Sequence, residues 1–249
     1  EKVGLYHFRA QLNTTIGSIY RMNDDYVKAL KALTSALDYY TLTNNIKRIA
    51  SLENHIGAVY RLQGKYPTAL EFYFNALKHY QTINYKPGIS TINNNIGIVY
   101  LYQKDYKKAL DYYLKSLEIE IELQDEEGIG ISYLNIGGAY QKLGEYPKAI
   151  DYYQKSLEIS KKINDLDAIG VNFNEIGSIY TEQNNLEKAQ EYLEQALNTF
   201  TKLGSKSRQA ECHLYFGQFY TKSNSYSKAI GHLKIALELS KEAGSMEFY

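Results

Sequence analysis

The sequence predicts an all-α protein built as a solenoid of six helix pairs. Three observations predict it. Gly17, Gly57, Gly97, Gly137, Gly177 and Gly217 stand 40 residues apart, with no insertion or deletion. Tyr20, Tyr60, Tyr100, Tyr140, Tyr180 and Tyr220 keep the same step. Around each glycine the apolar residues recur at helical spacing: Ile92, Ile96, Val99 and Tyr100 fall at i, i+4, i+7 and i+8. A period of roughly 20 to 50 residues marks a repeat architecture, stabilised by contacts between neighbouring repeats rather than by one central core.

The first helix of each repeat, helix A, carries the glycine. The Ile96 column holds Ile16, Ile56, Ile136, Ile176 and Phe216, and the Val99 column holds Ile19, Val59, Ala139, Ile179 and Phe219. A glycine inside a helix costs about 1 kcal/mol against alanine. Its return in all six repeats requires a compensating gain. The simplest is close approach of a neighbouring helix backbone, which a Cβ would block.

The second helix, helix B, follows a short turn. Its stripe in the third repeat is Tyr106, Ala109, Leu110, Tyr113, Ser116 and Leu117. The Ala109 column is alanine throughout, the Leu117 column is leucine throughout, and the Ser116 column is alanine or serine. Small residues beside large ones at fixed positions describe two helices with interlocking faces. The fifth repeat departs most, with Leu186 at the Tyr106 position and Gln190 at the Leu110 position, and looser packing is expected there.

The punctuation agrees. One column between helices reads Asp24, Gly64, Lys104, Gly144, Asn184 and Asn224; another between repeats reads Asn44, Asn84, Gln124, Asn164, Gly204 and Gly244. Glycine and asparagine tolerate the left-handed conformation that closes a helix. Pro67 and Pro147 share the start of helix B and Pro87 opens a helix A, places where a missing N–H costs little. The repeats span 6–45, 46–85, 86–125, 126–165, 166–205 and 206–245 of a single solenoid domain covering 1–249. Residues 246–249 match the start of a seventh helix A. Neither end shows a polar cap, and the chain reads as a window from a longer protein.

Lysine plus arginine equals aspartate plus glutamate, so there is no basic field for nucleic acid or an anionic membrane. No apolar run approaches the ~18 residues of a membrane-spanning helix. No signal peptide is visible, which favours the cytoplasm; the chain starts at Glu1 without an initiator Met, and a removed signal would instead place it in the periplasm. Cys212 is the only cysteine, which excludes an internal disulfide and a cysteine-rich metal site. Its column holds Leu12, Leu52 and Ile92, a core position. The 26 tyrosines, with no tryptophan, fall mostly in repeat columns. The pairs Tyr112-Tyr113 and Tyr152-Tyr153 read as packing residues whose hydroxyls reach the rim.

Apolar-Gly-x-x-Tyr, then Ala nine residues on, then Ala or Ser seven further, resembles the tetratricopeptide repeat. In the first repeat these are Ile16, Gly17, Tyr20, Ala29 and Ala36. The period is 40 rather than ~34. The tryptophan column before the glycine instead holds Asn13, Glu53, Asn93, Tyr133, Phe173 and His213. The longer period is similar to a subclass found in kinesin light chains, LGN/Pins-type polarity adaptors, and bacterial peptide-sensing or sensor-kinase-linked members. The composition has a bacterial flavour. The resemblance implies a right-handed superhelix of helical hairpins, with A helices lining a concave face that binds an extended peptide or partner helix. It implies no catalytic chemistry and no cofactor.

The groove-facing columns are those off the apolar stripe. Two residues before the glycine stand Thr15, His55, Asn95, Asn135, Glu175 and Tyr215; one position earlier stand Thr14, Asn54, Asn94, Leu134, Asn174 and Leu214. In the resembled subclass an asparagine here hydrogen-bonds the peptide backbone. A carboxamide donates and accepts at once, so it reads a peptide unit without reading its side chain. Asn95 and Asn135 match that column directly; Asn54, Asn94 and Asn174 lie one position earlier. Ile98 and Leu101 add an apolar patch, the usual makeup of a peptide groove. Arg21 and Arg61 make one end basic, and Glu175 and Glu182 make the later end acidic. An extended peptide across the first four repeats would place an acidic group near Arg21 and Arg61. The same residues also suit an ordinary solvated surface.

Catalytic and metal signals are poor. His7, His55, His79, His213 and His232 fall in five different columns, with no i,i+4 pair for zinc. Ser225-Tyr226-Ser227-Lys228 matches S-x-x-K by chance at a helix start. Gly128 and Gly130 lack the third glycine and the strand of a phosphate loop, since Tyr133 follows. The first reading is therefore a non-enzymatic module with a protein or peptide ligand, no nucleic acid and no direct membrane contact. The alternative makes it the sensory or regulatory part of a larger bacterial signalling protein, such as a histidine kinase, cyclase or transcription regulator. A third reading is self-association through uncapped ends.

Overall fold

The computed structural model describes residues 2–244. Among these there are twelve helices and no strand. They are α1 (Lys2–Met22), α2 (Tyr26–Leu42), α3 (Ile46–Leu62), α4 (Tyr66–Thr82), α5 (Lys86–Tyr102), α6 (Tyr106–Leu123), α7 (Glu126–Lys142), α8 (Tyr146–Lys162), α9 (Leu166–Glu182), α10 (Leu186–Leu203), α11 (Lys206–Lys222) and α12 (Tyr226–Glu242). The positions expected to open a seventh helix lie outside the described residues.

The chain divides into two compact units, Glu1–Gln124 and Asp125–Tyr249. In the first, α1 packs on α2, α3 on α4 and α5 on α6, while α2–α3 and α4–α5 contacts join the pairs. The A helices also touch in succession, α1 on α3 and α3 on α5. The second unit repeats this scheme: α7–α8, α9–α10 and α11–α12 are the pairs, and α7, α9 and α11 meet in order. Consecutive helices thus pair as an all-α solenoid pairs them.

The turns explain why the helices stop where they do. Every residue of the two punctuation columns has positive φ, including Lys104 at 61° and Gln124 at 55°. That single left-handed residue lets the chain turn back. In the third repeat the N–H of Asp105 then donates to the carbonyl of Tyr100, and the N–H of Lys104 to that of Leu101. Two orphan carbonyls at the helix end are satisfied in this way.

The helix starts divide into two classes. Asp25, Asn45, Asp105, Asp125, Asp165, Asn185 and Ser205 each cap a helix with a side-chain oxygen that accepts a backbone N–H. Lys65, Tyr85 and Glu145 make no such bond, and each of those three helices has proline in its first turn. These are all three prolines of the chain. Proline has no N–H to satisfy and its φ is preset for the first turn, so it replaces the missing cap. Ser225 alone among the described starts has neither device.

The repeated glycine has a different cause from the one read from the sequence. What lies nearest over it is a side chain of helix B, and at Gly17 and Gly177 a helix B carbonyl is close as well, Ala29 O and Ala189 O standing 3.3 and 3.4 Å from where a Cβ would be. A Cβ on Gly57 would stand 2.8 Å from Tyr73 Cε1, and one on Gly97 would stand 2.5 Å from Tyr113 Cε1. Leu33, Leu193 and Leu233 take the place of the tyrosine over Gly17, Gly177 and Gly217. In the second to fifth repeats the tyrosine three residues after the glycine stacks on the helix B ring one residue before the side chain that covers the glycine. Tyr100 faces Tyr112 with centroids 5.6 Å apart, and Tyr140 faces Tyr152 at 5.5 Å. Lys108 and Lys148 lie over those same rings.

The core follows the stripes. Ala29, Leu33, Ala36, Leu52 and Ile56 are buried together in one cluster, and Ala69, Tyr73, Ala76, Ile92 and Ile96 in the next. The fifth repeat is not looser. Ala189, Leu193, Ala196 and Phe200 are fully buried. Gln190 points outward and donates to Glu194, because its column is half-exposed or exposed in most repeats.

Candidate functional site

In the first unit the off-stripe side of the A helices gathers seven of the residues singled out above. Arg21 extends from α1, Asn54 and Arg61 from α3, and Asn94, Asn95, Ile98 and Leu101 from α5. All seven are half-buried. Asn95 Nδ2 donates to Asn54 Oδ1 at 2.8 Å, which ties α5 to α3. The bond uses one donor and one acceptor. Asn95 Oδ1 and the Asn54 amide hydrogens remain, an acceptor beside a donor at the spacing of neighbouring helices. That is the complement of an extended peptide unit. Asn94 is engaged by a neighbour of its own.

The arginines sit among phenols. The Tyr73 and Tyr113 rings lie over Gly57 and Gly97. Arg21 Nε, Arg61 Nε, His55 Nδ1, Tyr73 Oη and Tyr113 Oη are all buried and have no hydrogen-bond partner. Burial raises the Tyr73 phenol, while Arg61 and Arg21 pull it back down. Tyr113 is raised by burial and opposed by Arg61. His55 is lowered by burial and by the Arg21 charge, which keeps its ring neutral at physiological pH. Tyr40 Oη and Gln63 Oε1 also lack partners in this unit, at other columns.

The second unit carries different chemistry in the same columns. Gln141 stands where Arg61 stands in its repeat, and Tyr153 Oη donates to Gln141 Oε1 at 2.7 Å. Glu175 occupies the Asn95 column, and Tyr215 Oη donates to its Oε1 at 2.7 Å. Burial raises the Glu175 carboxyl, against the Tyr215 hydrogen bond. Asn135 is half-buried and is engaged by a neighbour. Asn174 differs from its expected place on an open face. It is only 2% exposed, closed in by the packed helices, and its Oδ1 has no partner.

Three features were not singled out from the sequence. His55 was visible only as one member of a mixed column. Tyr113 read as a packing residue with its hydroxyl at the rim, whereas its hydroxyl is buried, as is that of Tyr73. The signal that could have found them is the alternation of tyrosine and leucine over the glycine, read together with the residue four positions after it. His213 and His232 fall in different columns, yet their Nδ1 atoms stand 2.9 Å apart. Burial lowers both rings, and His232 adds to the effect on His213. No group of three or more histidine, cysteine or acidic side chains that could hold a metal ion occurs among the described residues. Cys212 is fully buried and its thiol is pushed up to about 12 by burial, so it is inert at neutral pH.

Residues 8–81, 48–122, 88–162, 128–202 and 168–242 each match the tetratricopeptide repeat. The chain belongs to the tetratricopeptide repeat family. No curated protein is similar enough in sequence to count as a relative. Among solved structures, aspartyl phosphate phosphatase F from Bacillus subtilis superposes with a TM-score of 0.80 at 14% identity, covering 96% of this chain and 72% of that one. The Rap conjugation gene regulator of the plasmid pLS20, solved in complex with the Phr* peptide, gives 0.72 at 16%, with 97% and 65% covered. A putative kinesin light chain from Podosopora anserina gives 0.64 at 16%, with 78% and 96% covered. At these identities the likeness is one of fold.

Proposed function

We propose that this tetratricopeptide chain is a non-catalytic module that binds an extended peptide or partner segment along its A helices. The observation that carries the reading is the Asn54–Asn95 pair. Two carboxamides from neighbouring A helices are fixed side by side, with a donor and an acceptor left over. A peptide backbone laid across α3 and α5 gains two hydrogen bonds there, and Ile98 and Leu101 offer its side chains an apolar floor. The Phr* peptide bound by the pLS20 Rap regulator supports a peptide as the class of partner. Zero formal net charge favours a protein partner over nucleic acid. The buried, unionised Cys212 thiol fits a binding role better than a nucleophilic one.

Selection from a random 12-residue peptide library on the whole chain tests this. The expected result is a consensus family of peptides whose affinity falls roughly tenfold in Asn54→Ala plus Asn95→Ala, the loss of about two modest hydrogen bonds. Unchanged affinity in that double variant overturns the reading, as does failure of the wild-type chain to enrich any sequence.

A further inference from the structure

The sixth repeat departs from its neighbours at one pair of facing positions. In the fourth and fifth repeats these two columns hold aromatic pairs, Tyr133 with Tyr152 and Phe173 with Tyr192, at centroid distances of 5.9 and 6.1 Å. In the sixth both members are histidine, and the rings of His213 on α11 and His232 on α12 come to 5.0 Å. Their Nδ1 atoms stand 2.9 Å apart, so one ring donates and the other accepts. His213 is buried. His232 is half-buried, with its ring stacked on Phe216 at 4.8 Å and beside Tyr220 at 5.1 Å. A bond between two imidazoles survives one shared proton. It does not survive two, because two imidazolium rings have only donors to offer and repel each other.

The helix that the pair holds has little else to fix it. α12 packs on α11, and its start has neither a side-chain cap nor a proline. Gly231 stands in its interior with no atom within 4 Å of where a Cβ would be, so a poor helix former is placed there with no packing in return. Leu33 and Leu193 are fully buried over their glycines, whereas Leu233 in the same column is 42% exposed. The charged groups of the surrounding helices are engaged elsewhere. On α11, Glu211 pairs with Arg208 and acts on Cys212 rather than on His213. On α9, Glu175 accepts from the Tyr215 hydroxyl and Asp167 pairs with Arg208. On α10, Tyr192 stacks on Tyr180, which lies under Lys188. On α12, Lys228 lies over the Tyr220 ring. The charge that acts on His213 is that of His232, and His232 itself responds to burial alone.

We propose that the His213–His232 pair is an acid-sensitive clasp on the sixth repeat, joining α12 to α11 while at most one of the two rings is charged and releasing α12 when both are protonated. This goes beyond the peptide-binding reading and does not depend on it. The sign follows from burial. Both rings are held below the ordinary 6.5 in the fold, and in the released helix they return to it. The released form therefore binds more protons. The clasp is at full strength above about pH 6.5 and weakens as pH falls through the lowered values. The two protons arrive in separate steps that belong to the pair. The first is tolerated, since it sits between two nitrogens and beside the faces of Phe216 and Tyr220. The second falls on a buried ring next to a like charge, with no acceptor left for it. Because each repeat touches only its neighbours, α12 can leave without unfolding the helices before α11.

Two measurements on the whole chain test this. Proton NMR of the histidine rings, followed from about pH 8 down to about pH 4.5, is expected to show His213 and His232 titrating together in two steps below the ordinary histidine value. In His213→Phe the remaining His232 is expected to titrate in a single step. A wild-type His232 that titrates in one step, at the same pH as in that variant, overturns the coupled pair. Amide hydrogen exchange, corrected for the intrinsic effect of pH, reads the release itself. The opening of α12 is expected to rise about tenfold or more between about pH 7.5 and about pH 5, since each unit by which a ring is lowered is a tenfold change in the equilibrium. His213→Phe plus His232→Tyr copies the Phe173–Tyr192 pair of the fifth repeat and is expected to remove that rise. Opening of α12 that rises equally in both forms of the chain, or in neither, overturns the clasp. Exchange that accelerates equally in α10 and α12 overturns it in favour of general acid unfolding.

Discussion

The Tyr113 ring lies directly on Gly97, so that a Cβ at residue 97 would stand 2.5 Å from Cε1 and 2.6 Å from Cδ1. No rotation of a methyl group avoids this. The ring has little room to retreat, because Tyr113 is itself fully buried.

Gly97→Ala is therefore expected to destabilise the chain. Alanine gains about 1 kcal/mol of helix propensity, whereas forcing a methyl into a filled core costs about 1–3 kcal/mol. The overpacking wins, with a net loss of up to about 2 kcal/mol in urea unfolding. A stabilised variant would show that the ring is free to move and that the repeated glycine has another cause.

At the helix starts the opposite change is available. Lys65 precedes α4 without a side-chain cap, where Asp25 and Asp105 cap α2 and α6. Lys65→Asp is expected to add the missing bond and about 0.5–1 kcal/mol, read as a higher urea midpoint with unchanged slope.

The two buried phenols give a test of hydrogen-bond satisfaction in the free chain. Tyr73→Phe and Tyr113→Phe each remove an unpartnered hydroxyl and keep the ring on its glycine. Each is expected to stabilise the free chain by about 1 kcal/mol, since a buried unsatisfied group costs about 1–3 kcal/mol. Tyr153→Phe is the control. Its hydroxyl is bonded to Gln141, so the same change is expected to destabilise. Calorimetric melting of the three variants gives opposite signs if the hydroxyls differ as described.

Acid titration reports on Glu175. Burial raises its carboxyl above the usual 4.5. Between the unfolded and folded values the native state holds the extra proton, so stability is greatest below pH 4.5 and falls as pH rises through the folded value. Glu175→Gln keeps an acceptor for Tyr215 and removes the charge. The variant is expected to gain stability over wild type as pH rises from 4 to 8, and to match it at the acid end. A difference independent of pH would show that the carboxyl is not held up by burial.

Much of the fold was legible because a repeat prints the same physical requirement six times. The left-handed turn was readable even at Lys104, a poor residue for it, since its column holds glycine and asparagine elsewhere. Pro67, Pro87 and Pro147 marked helix starts directly. The cause of the glycine column was less legible: the column shows that something is close, but not whether a backbone or a ring. The face was legible only as columns. Asn95 bonds Asn54 across 41 residues, and Arg208 reaches Asp167 across the same interval, one more than the repeat. Alignment by period sets Asn54 beside Asn94 and hides the pair that forms, because the offset comes from how one helix sits on the next. The unpartnered hydroxyls were hidden for a related reason, since hydrogen-bond satisfaction belongs to neighbours and not to columns.

The most direct measurement is the side-chain amide NMR spectrum of the chain with and without a library-selected peptide. Saturating peptide is expected to shift the amide resonances of Asn54 and Asn95 together, through the donor and acceptor they leave open. Shifts confined to the B helices or the turns, with both amides unmoved at saturation, would contradict a peptide-binding face on the A helices.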